Sequence, residues 1–114
     1  MIKSAVYNII AYQGATFTLD FTYKAGETPV NLTGYSAAMQ VRESPNSPTT
    51  VLSLESGEEI TLGGSAGTIS VEVSATVMTA VVAGNYQYDL ELNSGSQVTR
   101  LLQGKFAIEA EVTR

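Results

Sequence analysis

The chain has 114 residues, six of them basic and eleven acidic, for a net charge of −5, and it contains no histidine, cysteine or tryptophan. That length is one domain, and a domain of this size removes about two-thirds of its unfolded surface from water, so no crosslink or metal is needed to hold it. The missing residue types exclude disulfides, thiol chemistry, the usual general base and nearly all zinc or copper sites. Six cations in the whole chain do not make a nucleic-acid groove, which needs them clustered.

From the start, residues 1–12 read as an edge strand or docking arm, with a short strand over 5–11. The opening MIKSAVYNII has neither the apolar stretch nor the small-residue cleavage site of a secretory signal. The longest apolar runs, such as residues 80–83, are too short to cross a bilayer. A protein outside the secretory route, without nucleic-acid or membrane partners, is expected.

Next, Phe17, Leu19, Phe21 and Tyr23 alternate with Thr16, Thr18, Asp20 and Thr22, the pattern of a strand with one buried and one wet face. Residues 26–39 connect it to a second alternating segment, Tyr35, Ala37, Met39 and Val41, with Leu32 and Tyr35 as anchors. Ser44-Pro-Asn-Ser-Pro48 interrupts the sheet, because proline donates nothing to a ladder. Short strands are expected over 51–54 and 59–62. The glycine-rich residues 63–67 then turn a hairpin into Ile69, Val71 and Val73.

Residues 74–80 are the single helical piece, a crossover capped by Ser74 with Val77 and Met78 tucked beneath, and Gly84 releases the chain. Tyr86, Tyr88, Leu90 and Leu92 alternate with Gln87, Asp89 and Glu91, then Asn93-Ser-Gly-Ser96 leads to a strand over 98–102. A loop symmetric about Ser94 and Gly95 sets Asp89 opposite Arg100 on the outer face. A separate last strand carries Phe106, Ile108, Ala110 and Val112 inward. The result is about nine strands at 8–12-residue spacing. It predicts an all-β chain, a single immunoglobulin-like antiparallel sandwich of seven to nine strands spanning 1–114.

No constellation for catalysis emerges. Lys3, Lys24 and Lys105 stand at strand starts or loops with no serine to activate. The carboxylate pairs Glu58 and Glu59, Asp89 and Glu91, and Glu109 and Glu111 fall on solvated surfaces, not across a cleft. No calcium loop of the Asp-x-Asp-x-Asp-Gly kind exists. Asn31-Leu-Thr33 fits a glycosylation acceptor, but its polar side chains are better read as turn formers. Neither an enzyme nor a cofactor is expected. Tyr23, Tyr35, Tyr86 and Tyr88 fall on the inward phase. Tyr7, Ile9 and Tyr12 mark an N-terminal edge open to pairing with a neighbouring chain, and the loop residues Asn46 and Ser65 are candidate contacts.

The ordered series Gln13-Gly-Ala-Thr-Phe17, Pro29-Val-Asn-Leu-Thr-Gly-Tyr35, Met39-Gln-Val-Arg42, Gly67-Thr-Ile69 and Ala83-Gly-Asn-Tyr-Gln-Tyr-Asp-Leu90 resembles small tailed-phage virion proteins. It is similar to the amino-terminal immunoglobulin-like module of phage baseplate upper proteins. In that module a Leu-Thr-Gly run precedes a strand ending in a basic residue, and a Gly-x-Tyr strand leads into a final hairpin. The resemblance spans residues 13–112 and carries no catalytic residues. It implies a structural subunit of a tail, baseplate or neck, located in the virion, docking on other virion proteins and forming homo-oligomeric rings. The stalk that follows in those proteins has no counterpart before Arg114, so a stand-alone building block is expected. The alternative expectation is a phage or bacterial surface module that recognises a host glycan or protein through its loops.

Overall fold

A computed structural model describes residues 5–112; Lys3 and the beginning of the expected N-terminal arm lie outside the described residues. Among the described residues eleven strands form: β1 (Ala5–Val6), β2 (Ile9–Tyr12), β3 (Phe17–Thr22), β4 (Lys24–Ala25), β5 (Thr28–Pro29), β6 (Ser36–Arg42), β7 (Leu52–Glu55), β8 (Ile60–Leu62), β9 (Thr68–Val73), β10 (Gly84–Asn93) and β11 (Val98–Glu109). One α-helix, α1 (Ala75–Thr79), joins β9 to β10. The larger sheet runs β1-β11-β10-β6-β7, with β2 also on β11, and the smaller runs β3-β9-β8. Small two-residue strands β4 and β5 form a separate hairpin in the connection to β6.

This strand order is that of an immunoglobulin-like sandwich. Its pairings are antiparallel except at the N-terminal edge, where β1 and β2 lie parallel to β11, and at a lone parallel bridge between Ser56 and Ile60. A further mark of the class stands where the helical crossover enters β10: the Tyr86 hydroxyl donates to the Val82 carbonyl at 2.6 Å, the geometry of a tyrosine corner.

The core lies between the sheets and is built from the expected alternations. Phe17, Met39, Val41, Ile69, Val71, Val73, Tyr86, Tyr88, Leu90 and Leu92 are all buried. Phe106 is fully buried, with its ring edge-on to Phe17 at 5.3 Å and to Tyr88 at 6.0 Å. Each such pair contributes about 0.5–1.5 kcal/mol beyond the area it covers. Leu32 is buried as an anchor and Tyr35 packs partly against the core. Asn31 Oδ1 accepts from the Thr33 amide at 3.0 Å, the turn-forming role expected of that pair. In α1, Ser74 caps the Val77 amide and Met78 is buried; Val77, expected beneath the helix, is instead exposed.

Three expectations are corrected. The strands over 98–102 and 106–112 are one strand, β11, which ends at Glu109 and leaves Ala110 and Val112 exposed. A bulge explains why they read as two. Leu90 pairs with Leu102 but Glu91 with Arg100, so Leu101 is an extra residue and the inward phase changes parity there. Finally, the loop after β10 is not centred on Ser94 and Gly95. Asn93 pairs with Val98, and Asp89 stands opposite Gln103, not Arg100. The Arg100 side chain nevertheless reaches diagonally across to Asp89, Nε to Oδ2 at 3.3 Å.

Candidate functional site

Two surface features meet on the larger sheet, and both follow from how β1 and β2 dock on β11. The register between them is constant: Val6 stands beside Gln103 and Ile9 beside Phe106. Between those points Gly104 faces the chain at Tyr7 and Asn8. A Cβ on Gly104 would sit 2.6 Å from the Tyr7 carbonyl oxygen and 2.9 Å from Asn8 Oδ1, so only glycine permits this approach. Side chains complete the ladder there. The Lys105 amide donates to Asn8 Oδ1 at 3.0 Å, and the Tyr88 hydroxyl donates to the Tyr7 carbonyl at 2.6 Å. Burial, with the nearby Tyr7 phenol second, pushes the Tyr88 hydroxyl up to about 12, so it stays a donor at neutral pH. At the far end Gln13 ties three segments together: its Nε2 donates to the Val81 carbonyl at 2.8 Å and its Oε1 accepts from the Glu111 amide at 3.1 Å.

The backbone direction of this edge can be read from its bonds. Tyr7 N donates to Gln103 O and Gln13 N to Glu109 O, so the odd-numbered residues turn their polar groups toward β11. By the two-residue period, Val6, Asn8 and Ile10 turn theirs away, whereas the Tyr12 carbonyl is taken by the Ala15 amide at 3.2 Å. Among the described residues no strand pairs with that side. The same even-numbered residues carry apolar side chains to the surface: Val6 is 71 %, Ile10 60 % and Tyr12 56 % exposed.

Expected site residues are therefore divided. Tyr7, half exposed, and Tyr12 belong to the edge. Ile9 does not: at 5 % exposure it is core, paired beside Phe106 of β11, and Ile10 is the residue presented outward. Asn46 and Ser65 are both exposed but lie at opposite ends of the sandwich. Ser65 sits by the chain entering β6, where Leu32 N bonds Gly64 O, whereas Asn46 lies beyond the exit of β6 at Arg42. One loop site cannot use both.

Beside the edge, on the outer face of the larger sheet, lies an open hollow of about 360 Å³. Register builds it in rows across β6, β10 and β11: Arg42 and Gln87 line it in one row, and Gln40, Asp89 and Gln103 in the next, with Val6 beyond. Lys105 continues the row of Arg42 and Gln87 but stands outside the lining. Val6 and Pro45 give it apolar flanks. The Arg42 guanidinium is held in place by Nη1 donating to Ser47 O at 2.6 Å and Nη2 to Gln40 Oε1 at 2.9 Å. Sequence reasoning did not find this row, because its members are far apart in the chain and only strand register assembles them. The candidate carboxylate pairs do not converge: among the described residues no three acids stand close enough to hold a metal ion.

No protein-family model and no curated protein matches the chain.

Proposed function

We propose that this protein is a non-catalytic structural subunit of a tailed-phage virion, docking on neighbouring virion proteins through the N-terminal edge of its larger sheet. The observation that carries the docking role is that edge: outward-turned backbone groups at Val6, Asn8 and Ile10, flanked by exposed Val6, Ile10 and Tyr12 side chains. An unpaired edge with apolar side chains is a template for strand addition by another chain. The assignment to a virion rests on the ordered motifs from Gln13 to Leu90. A chain lacking histidine and cysteine suits a role exercised through surfaces.

Mass spectrometry and cryo-electron microscopy of virions purified from the source test the reading. Stoichiometric presence, with density from a neighbour covering residues 6–12, is the expected result. Absence from the particle overturns the virion assignment. An edge left bare in the assembled particle overturns the docking role.

A further inference from the structure

Resting on that docking role, we infer that the hollow beside the edge seats an acidic, extended segment of the partner protein, one carboxylate held by Arg42 in the hollow and the next by Lys105, which continues the same row beyond its lining. The first ground is charge. Of the six lysines and arginines, Lys3 and Arg114 lie outside the described residues. Of the other four, Arg42, Arg100 and Lys105 stand on this one face, and Lys24 alone lies elsewhere, on the β4–β5 hairpin. A chain carrying −5 overall has thus set three of its four described cations on one face, two of them, Arg42 and Arg100, lining the hollow.

The second ground is which of these charges is already matched. Arg100 is paired with Asp89 at 3.3 Å and reaches Gln103 Oε1 at 3.5 Å. No carboxylate shares the row of Arg42, Gln87 and Lys105; the nearest acid by register, Asp89, faces Arg100. Arg42 spends two of its five N–H donors on Ser47 and Gln40, which fixes the guanidinium and leaves three donors for a ligand. Strands about 4.8 Å apart put Arg42 and Lys105 about 10 Å apart at their Cα atoms, with Gln87 as a neutral donor between them. Acidic side chains two residues apart on an extended segment are about 7 Å apart, a separation that a fixed arginine and a flexible lysine can span.

The third ground decides between a polypeptide and an anionic sugar. The aromatic residue at this hollow, Tyr88, sends its ring beneath the sheet to Phe106 and its hydroxyl to Tyr7, so no ring face is offered to a sugar. The flanks are Val6 and Pro45. Val6 also begins the apolar edge that continues through Ile10 and Tyr12. An occupant with carboxylates over the row and apolar side chains along the edge is a protein segment.

The test uses the full chain, 15N-labelled, titrated at low salt with three probes: an octaglutamate peptide, the matched octaglutamine peptide, and a sulfated heparin tetrasaccharide. Octaglutamate is expected to give saturable shifts at the Gln87, Gln40 and Lys105 amides and the Arg42 side-chain N–H. Octaglutamine should give none, and affinity should fall several-fold between 20 and 300 mM salt. Arg42→Gln should weaken binding about tenfold, as loss of a charge-assisted contact does, with an unchanged spectrum elsewhere. Lys105→Gln should weaken it less. Shifts that fail to saturate, that centre on Lys24, or that arise with the tetrasaccharide alone overturn the inference. In particles, Ile10→Asp tests the edge and Arg42→Gln the hollow. Incorporation lost with the first and fully kept with the second overturns the acidic-segment inference while leaving the docking role standing.

Discussion

Replacing Tyr88 by phenylalanine removes one hydroxyl and leaves the ring to pack on Phe106. What is lost is the 2.6 Å bond to the Tyr7 carbonyl, which fastens the N-terminal edge to the sheet where Gly104 leaves the ladder open. One such partly buried bond contributes about 1 kcal/mol net, so Tyr88→Phe should lower Tm by about 4–6 °C in a domain of this size. The pH dependence gives a sharper reading. Tyr88 titrates near 10 when unfolded and is pushed up to about 12 by burial in the folded protein. A raised folded value means that the native state holds the proton longer. The stabilisation is therefore complete below pH 10 and is lost as pH rises from 10 to about 12. The difference between wild type and Tyr88→Phe should be constant near pH 8 and shrink steadily above pH 10. Urea denaturation followed by circular dichroism at half-unit steps from pH 8 to 11.5 measures it. A difference independent of pH, or a variant as stable as wild type at pH 8, refutes the reasoning.

Gly104→Ala places a methyl 2.6 Å from the Tyr7 oxygen and should cost about 1–3 kcal/mol, with the Lys105 amide losing hydrogen-exchange protection first. Leu90→Ala, in a fully buried position between β6 and β11, should cost about 2–5 kcal/mol by urea denaturation. Ser74→Ala removes the cap on the Val77 amide and should cost about 0.5–1 kcal/mol, read as a Tm shift without change in the spectrum of the sheets.

Where one face of a strand is buried and the other wet, the sequence showed it plainly. Phe17, Leu19 and Phe21, or Tyr86 through Leu92, alternate without ambiguity, and these strands appear with only their ends shifted. The N-terminal edge was legible only in part. Ile9, Ile10 and Ala11 are consecutive apolar residues, so period two is silent on which of them faces the core. Only docking on β11 settles that Ile9 goes inward and Ile10 outward. The β4–β5 hairpin was not legible at all, since two-residue strands have no periodicity to display. Asn8 and Gln13, which complete the edge through their side chains, carry no local signal either, because their partners, Lys105 and Glu111, lie about a chain length away.

The bulge at Leu101 shows why the polar face could not have been read from the sequence. If the pairing of Glu91 with Arg100 ran on unbroken, Tyr86 would stand opposite Lys105 and Tyr88 opposite Gln103. Lys105 would then share the inward face of Tyr86, and Phe106 would point to solvent. A buried unpaired lysine costs far more than any local adjustment of a ladder, so the chain accepts one extra residue instead. That adjustment sends Phe106 between Phe17 and Tyr88 and turns Lys105 outward into the row of Arg42 and Gln87. Arg100, opposite Glu91 on the near side of the bulge, reaches diagonally to Asp89, the acid nearest the row. The core and the cationic face therefore depend on the same irregularity, and a substitution that shifted the bulge would disturb both together.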